Sequence, residues 1–235
     1  MSTCAIMQPT YLPWSGYFNL IASVDTFVFL DDVQFEKQSW QSRNRILLSG
    51  NEHMLSVPVK KMPLQTPISD IELPEITTWR GKHWKSLEAA YQKTPGGKVL
   101  LDVLNPVYNE SRHTHLFELN KDIIIRLARL LQLDTRFIQA SDLKCSGERT
   151  AHVIRICEAL GCDRYLSPQG ARDYLESDGF ERQTSINLVF QSFSPGEYVQ
   201  LGNKAFASHL SVVDVLANMG VEFAANYVKE TVCRS

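Results

Sequence analysis

Residues 5–35, AIMQPTYLPWSGYFNLIASVDTFVFLDDVQF, constrain the fold more than any other stretch. Residues 5–7 read as a short apolar strand. Residues 8–16 form a loop broken by Pro9, Pro13 and Gly16. Tyr17, Leu20, Ile21 and Val24 fall on one face, which predicts a helix over 17–23. Residues 27–30 are continuously apolar, as in a strand buried on both faces. A short crossover between two such runs makes them adjacent parallel strands. Asp31 and Asp32 follow at the carboxyl end of the second, the edge where open α/β sheets bind ligands.

The rest of the chain repeats the alternation. Residues 36–45 are polar, with Trp40 and three basic residues, and too irregular for a helix. A strand is expected at 55–59. Residues 62–78 read as a loop with three prolines and one strand at 68–73. Trp84, Leu87, Ala90 and Tyr91 predict a helix over 79–93, ended by Pro95, Gly96 and Gly97. Residues 99–104 are a short apolar run, and 116–133 are the clearest helix. A strand over 134–139 and a helix over 148–160 follow. Residues 164–166 form a strand that leads into Ser167-Pro168-Gln169-Gly170. A strand at 186–190 and a helix at 211–219 complete the pattern, and 229–235 read as a loose tail. Strands alternating with helices give an α/β class with a Rossmann-like, mainly parallel sheet. Residues 78–133 are more helical and form a cap or subdomain. Nothing linker-like isolates them, so 1–235 read as a single α/β domain.

Composition narrows the function. The chain has 235 residues, is 44% hydrophobic, and carries a net charge of −2. That balance argues against nucleic acid as the main partner. No apolar run approaches a membrane span, and no basic segment with an apolar signal core opens the chain, so a cytoplasmic protein is expected. Cys4, Cys145, Cys157, Cys162 and Cys233 show no CxxC pair and no Cys/His ligand spacing. They read as free thiols, with no metal ligands among them.

Several side chains can carry chemistry. Gln8, Thr10, Tyr11, Trp14, Ser15 and Tyr17 offer amide, hydroxyl and aromatic groups that orient a nucleotide or sugar, ahead of a helix N-terminus that favours phosphate. The same loop also reads as a proline-stiffened connection with its aromatics packed inward. Asp31 and Asp32 can take an amine proton or hold Mg²⁺ with nucleotide phosphates, and one of them can instead cap a turn. Lys37, Arg43 and Arg45 can clamp phosphates, with Trp40, Gln41 and Asn44 interleaved among them. His83 stands among tryptophans and basic residues as a phosphate contact or base, or as a structural histidine. His113 and His115 ligate a metal only with distant help, and His152 and His209 read as structural. Ser167 and Arg172 flank a second strand-to-turn site, where Ser167 equally serves as an N-cap. GxSxG is absent, which argues against a serine hydrolase. Gln8 closes one strand and Asp31 follows its neighbour, so Gln8, Tyr17, Asp31, Gln34 and Arg43 are expected to converge on one pocket.

The segments QPTYLPWSGYFNLI, FVFLDDVQF, WQSRNRI, WRGKHWKSLEAAY, RYLSPQGARDYL, NLVFQSFSPGEYVQ and LSVVDVLANMG resemble, in order, the WbqC-like family over nearly the whole chain. That resemblance implies a role in bacterial surface-polysaccharide biosynthesis, that of O-antigen and lipopolysaccharide. It also implies decoration of amino sugars, including glycyl substitution. The opening also resembles pantothenate synthetase and the nucleotidyltransferases with a His-x-Gly-His loop, on Pro9-Thr10, Val33-Gln34-Phe35 and Arg172-Asp173-Tyr174. That second resemblance implies ATP and Mg²⁺. It departs at the loop itself, where Trp14-Ser15-Gly16-Tyr17 stands and both imidazoles are missing. Trp14 has no acceptor for a proton. The expectation is an enzyme that acylates a nucleotide-linked amino sugar from a small acyl donor, with Asp31, Asp32 and Tyr17 at the chemistry. The alternative is a non-catalytic nucleotide-sugar or glycan-binding protein.

Overall fold

A computed structural model describes residues 2–202 and 205–230. The opening unit folds as its pattern requires. Strand β1 (Thr3–Met7), helix α1 (Ser15–Ala22) and strand β2 (Thr26–Phe29) form a crossover, with Ala5 opposite Phe27 and Met7 opposite Phe29 in a parallel ladder. Seven of the eight α1 residues are buried, so this helix is core on every side.

An antiparallel hairpin follows, β3 (Arg43–Leu48) and β4 (Asn51–Ser56), turned through Ser49 and Gly50, both at positive φ. Only the strand expected at 55–59 overlaps it. Residues 36–45 gave no sign of β3, and five of the six β4 residues face solvent, so no apolar alternation marks the pair. Residues 68–73 are not a strand. Ile68–Asp70 form a 3-10 turn, and the segment is held by single backbone bonds such as Leu73 N to Thr114 O at 2.7 Å.

The middle is helical, as expected: α2 (Thr78–Tyr91), α3 (Gly97–Asn105) continued by a π turn (Pro106–Glu110), and α4 (Leu116–Leu130). Gly96 and Gly97, read as a stop, begin α3, because the Gly96 N–H is taken by Ala217 O at 2.8 Å. Strand β5 (Arg136–Gln139), helices α5 (Ala140–Leu143) and α6 (Arg149–Ala159), strand β6 (Arg164–Ser167), helices α7 (Arg172–Ser177) and α8 (Phe180–Gln183), and strand β7 (Asn187–Phe190) come next. The chain closes with α9 (Val212–Met219), capped by Ser211 Oγ, and α10 (Val221–Lys229), for which the sequence pattern gave no element and whose last residue, Lys229, falls in the expected tail. Residues 231–235 of that expected loose tail lie outside the described residues.

The five-stranded sheet has the order β5-β2-β1-β6-β7, with every pairing parallel. In chain order this is 3-2-1-4-5, the doubly wound arrangement. Side chains alternate between its faces. Ala5, Phe27 and Phe29 enter one apolar core with α1, α4, α9, α10 and the buried faces of α2 and α3. Cys4, Ile6 and Val28 enter a second core with α6 and α7. On the first face Phe29 stacks on Phe137 at 5.5 Å and meets Phe117 edge-on at 6.1 Å, which fixes α4 over the β2–β5 pair.

Candidate functional site

The strand order reverses between β1 and β6, and the crevice at their carboxyl ends is the natural ligand position. The loop after β1 is tied down there on several sides. Asn44 Nδ2 donates to Tyr11 O (3.1 Å) and Leu12 O (2.8 Å), and Tyr11 N donates to Trp40 O (3.0 Å). Asn120 Nδ2 on α4 reaches Pro9 O (3.3 Å) and Gln41 O (2.8 Å), while Gln41 Nε2 donates to Gln8 Oε1 at 2.9 Å. These bonds hold Leu12 at a φ of 44°, a left-handed conformation unusual for leucine.

Against this loop lies a cavity of about 310 Å³. Met7, Thr10, Trp14 and Tyr17 line it together with Trp40, Asn44, Arg45 and His209. The Trp14 indole covers Gly16, where a Cβ would fall 2.1 Å from Trp14 Cζ2, so only glycine fits beneath it. Trp14 also meets His209 at 5.1 Å and Phe193 at 5.8 Å between ring centroids. The Arg45 guanidinium lies 5.6 Å from the Trp40 ring centre and bonds Glu52 at 2.7 Å. Aromatic faces beside an arginine are a surface for stacking sugars or bases and contacting phosphate.

Residues 8–225 match the model of the WbqC-like protein family. The chain belongs to that family. It is also similar to the protein described as "Uncharacterized protein Rv1507c" of Mycobacterium tuberculosis (strain ATCC 25618 / H37Rv), 32% identical over 231 residues, covering 97% of this chain and 98% of that one. No solved structure matches.

In this WbqC-like protein the expected convergence on one pocket does not occur. Thr10, Trp14, Tyr17 and Arg45 share the aromatic cavity, and Gln8 is joined to it because Tyr17 Oη donates to Gln8 O at 3.2 Å. Burial holds the Tyr17 phenol well above its usual pKa. Asp31 lines a different cavity, of about 920 Å³, and Gln34 a third, of about 250 Å³. Asp31 is fully buried and accepts from Ser141 N (3.0 Å) and Ser141 Oγ (2.7 Å), so it caps α5, far along the chain. Burial raises its pKa above the usual carboxylate value, while those two bonds work the other way. Asp32 pairs with His152 Nε2 at 3.0 Å, at the first turn of α6. The two carboxylates thus have separate partners and do not present a joint ligand set for Mg²⁺.

The remaining residues sit apart. Arg43 lies on β3 opposite Ser56. The Tyr11 side chain turns into the core, where its hydroxyl meets His83 Nδ1 at 2.8 Å and Tyr108 Oη at 2.5 Å. His83 is buried and lines none of these three cavities; desolvation brings its pKa down to about 4. Ser167 is fully buried, its hydroxyl 3.2 Å from Pro168 O, at the β6 side of the crevice. The Arg172 guanidinium rests 3.9 Å from the Phe190 ring centre and bonds Gln169 and Glu176.

Sequence reading missed His209. It reaches the cavity because Ser211 N bonds Arg45 O (3.0 Å) and Val212 N bonds Pro13 O (2.8 Å), pinning the chain before α9 beside it. No local spacing signals such a long-range contact.

Proposed function

We propose that this WbqC-like protein transfers an acyl or glycyl group to the amine of a nucleotide-linked amino sugar, in bacterial surface-polysaccharide (O-antigen) biosynthesis in the cytoplasm. The observation that carries this reading is the aromatic, Arg45-bearing cavity beside the carboxyl end of β1 and the loop that follows it. Trp14 and Trp40 stack the base or sugar, and Arg45 contacts a phosphate. An attacking amine must be neutral, so a carboxylate at the same sheet edge is needed to take its proton. Asp32 fits that role better than Asp31, because its side chain is 23% exposed and His152 orients it, whereas Asp31 is enclosed and committed to Ser141. ATP enters this reading as the co-substrate that activates the acyl group.

One observation favours the alternative, a non-catalytic nucleotide-sugar binder. The positions aligned with His-x-Gly-His hold Trp14, which packs over Gly16, and Tyr17, whose hydroxyl is bonded to Gln8 O. The two readings part on product formation. Purified protein is incubated with ATP, labelled glycine and a nucleotide-linked amino sugar. Label in the sugar is expected from wild type, with turnover lowered about a hundredfold in Asp32→Asn and binding intact. Sugar nucleotide that binds wild type yet never acquires label from glycine, or from other labelled acyl donors, selects the binder.

A further inference from the structure

The cavity of about 920 Å³ opens among the carboxyl ends of β2 and β5, the loop over residues 111–115 and one face of α4. Its acids are already satisfied. Asp31 is bonded by Ser141; Asp122 holds Arg126 Nε at 2.7 Å and His113 Nε2 at 3.0 Å; Glu118 accepts from Thr114 N at 3.3 Å. Its cations are not. Among the described residues the Arg112 and Arg129 side chains form no hydrogen bond or ion pair, and the Lys121 ammonium bonds only the neutral Gln139 amide, 5.6 Å from the Phe117 ring centre. Lys121 and Arg129 project from the same face of α4, about 12 Å apart along its axis at the helical rise of about 1.5 Å per residue.

The loop carrying Arg112 is held firmly. Arg80 is only 5% exposed and gives both terminal nitrogens to this connection, Nη1 to Val107 O (3.1 Å) and Nη2 to His113 O (2.9 Å). Ser111 N bonds Pro106 O (2.7 Å), Leu73 N bonds Thr114 O (2.7 Å) and Leu116 N bonds Ile71 O (2.8 Å). A buried arginine committed to backbone carbonyls places Arg112 at the cavity before binding, which lowers the entropy lost when a ligand is gripped.

We propose that this cavity is a second ligand site, for an extended polyphosphate-bearing anion, with Arg112 and Arg129 as bidentate phosphate contacts and Lys121 as a point charge between them. The proposal rests on charge placement and does not require the aromatic cavity to take a sugar nucleotide.

Calorimetric titration of the full chain with inorganic pyrophosphate and with tripolyphosphate tests it. Binding at low salt is expected, weakening as KCl is added. Arg112→Gln and Arg129→Gln should each weaken it by about tenfold, the value of lost charge-assisted bonds. Both side chains are exposed, so the variants should melt as wild type does. Trp14→Ala should leave pyrophosphate binding unchanged; wild type that binds pyrophosphate but no sugar nucleotide would sink the function proposed above and leave this site standing. Folded wild type that binds neither polyphosphate overturns the proposal, and so does an Arg112→Gln/Arg129→Gln double variant that binds as wild type. Should the double variant fail to fold, the single variants and Lys121→Met decide by the same criterion.

Discussion

Asp214→Ala should destabilise the fold by about 3 kcal/mol or more, among the largest effects of any single polar change here. Asp214 is fully buried on α9 and is the acceptor at the centre of a network. Tyr91 Oη donates to Oδ1 at 2.9 Å; Tyr198 Oη and Gln200 Nε2 reach Oδ2 at 2.8 and 3.1 Å. These bonds join the end of α2 and the segment before α9 to α9 itself. Tyr91 Oη also accepts from Leu47 N at 3.4 Å, so β3 is tied to the same point. Removing the carboxylate strands buried donors, each costing about 1–3 kcal/mol, and leaves a small void. Chemical denaturation should show a lower midpoint with unchanged slope. An Asp214→Ala protein as stable as wild type would mean that these donors find other partners.

His83→Gln should remove a component of acid sensitivity. The His83 pKa falls from 6.5 to about 4, chiefly by desolvation, with nearby His53 adding to it and the Ser56 backbone opposing it. The folded chain therefore binds fewer protons than the unfolded chain between those values. Stability from this group is present above pH 6.5 and is lost as pH falls toward about 4. The whole shift corresponds to about 3 kcal/mol. Asp31 and Asp214 work in the opposite sense. Burial raises both pKa values above 3.8, so each loses stability as pH rises from 3.8 through its folded pKa. The difference between wild-type and His83→Gln stability curves isolates the histidine, since both proteins keep the aspartates. Glutamine retains an acceptor for Tyr11 Oη. Wild type should lose its advantage over the variant between pH 6.5 and about 4; parallel curves across that window would show that His83 titrates normally.

The same contrast between local and long-range interactions decides what the sequence revealed. The opening crossover was legible because residues 27–30 are apolar on both faces and Tyr17, Leu20 and Ile21 recur at helical spacing. The more helical middle was legible for the same reason. The β3–β4 hairpin was not, because its outer strand buries only Leu55. The site was half legible. Thr10, Trp14, Tyr17 and Arg45 meet at one cavity, but nearness to a sheet edge does not tell which side of that edge a carboxylate turns to. Ser141, far along the chain, draws Asp31 away from Tyr17. His209 arrives only through the backbone bonds that fasten residues 211 and 212 to Arg45 and Pro13.

The central claim is that the cavity beside the β1 loop takes a nucleotide-linked amino sugar. Calorimetric titration of wild type and Trp14→Ala with nucleotide-linked amino sugars, and with ATP alongside, tests it most directly. Trp14 is only partly buried and lies at the cavity, so its loss should spare the fold while removing a stacking face worth about 1–3 kcal/mol. The expected result is saturable binding of the sugar nucleotide to wild type, weakened about tenfold or more in Trp14→Ala. Folded wild type that binds no sugar nucleotide, or a variant that binds it as tightly as wild type, would contradict the account.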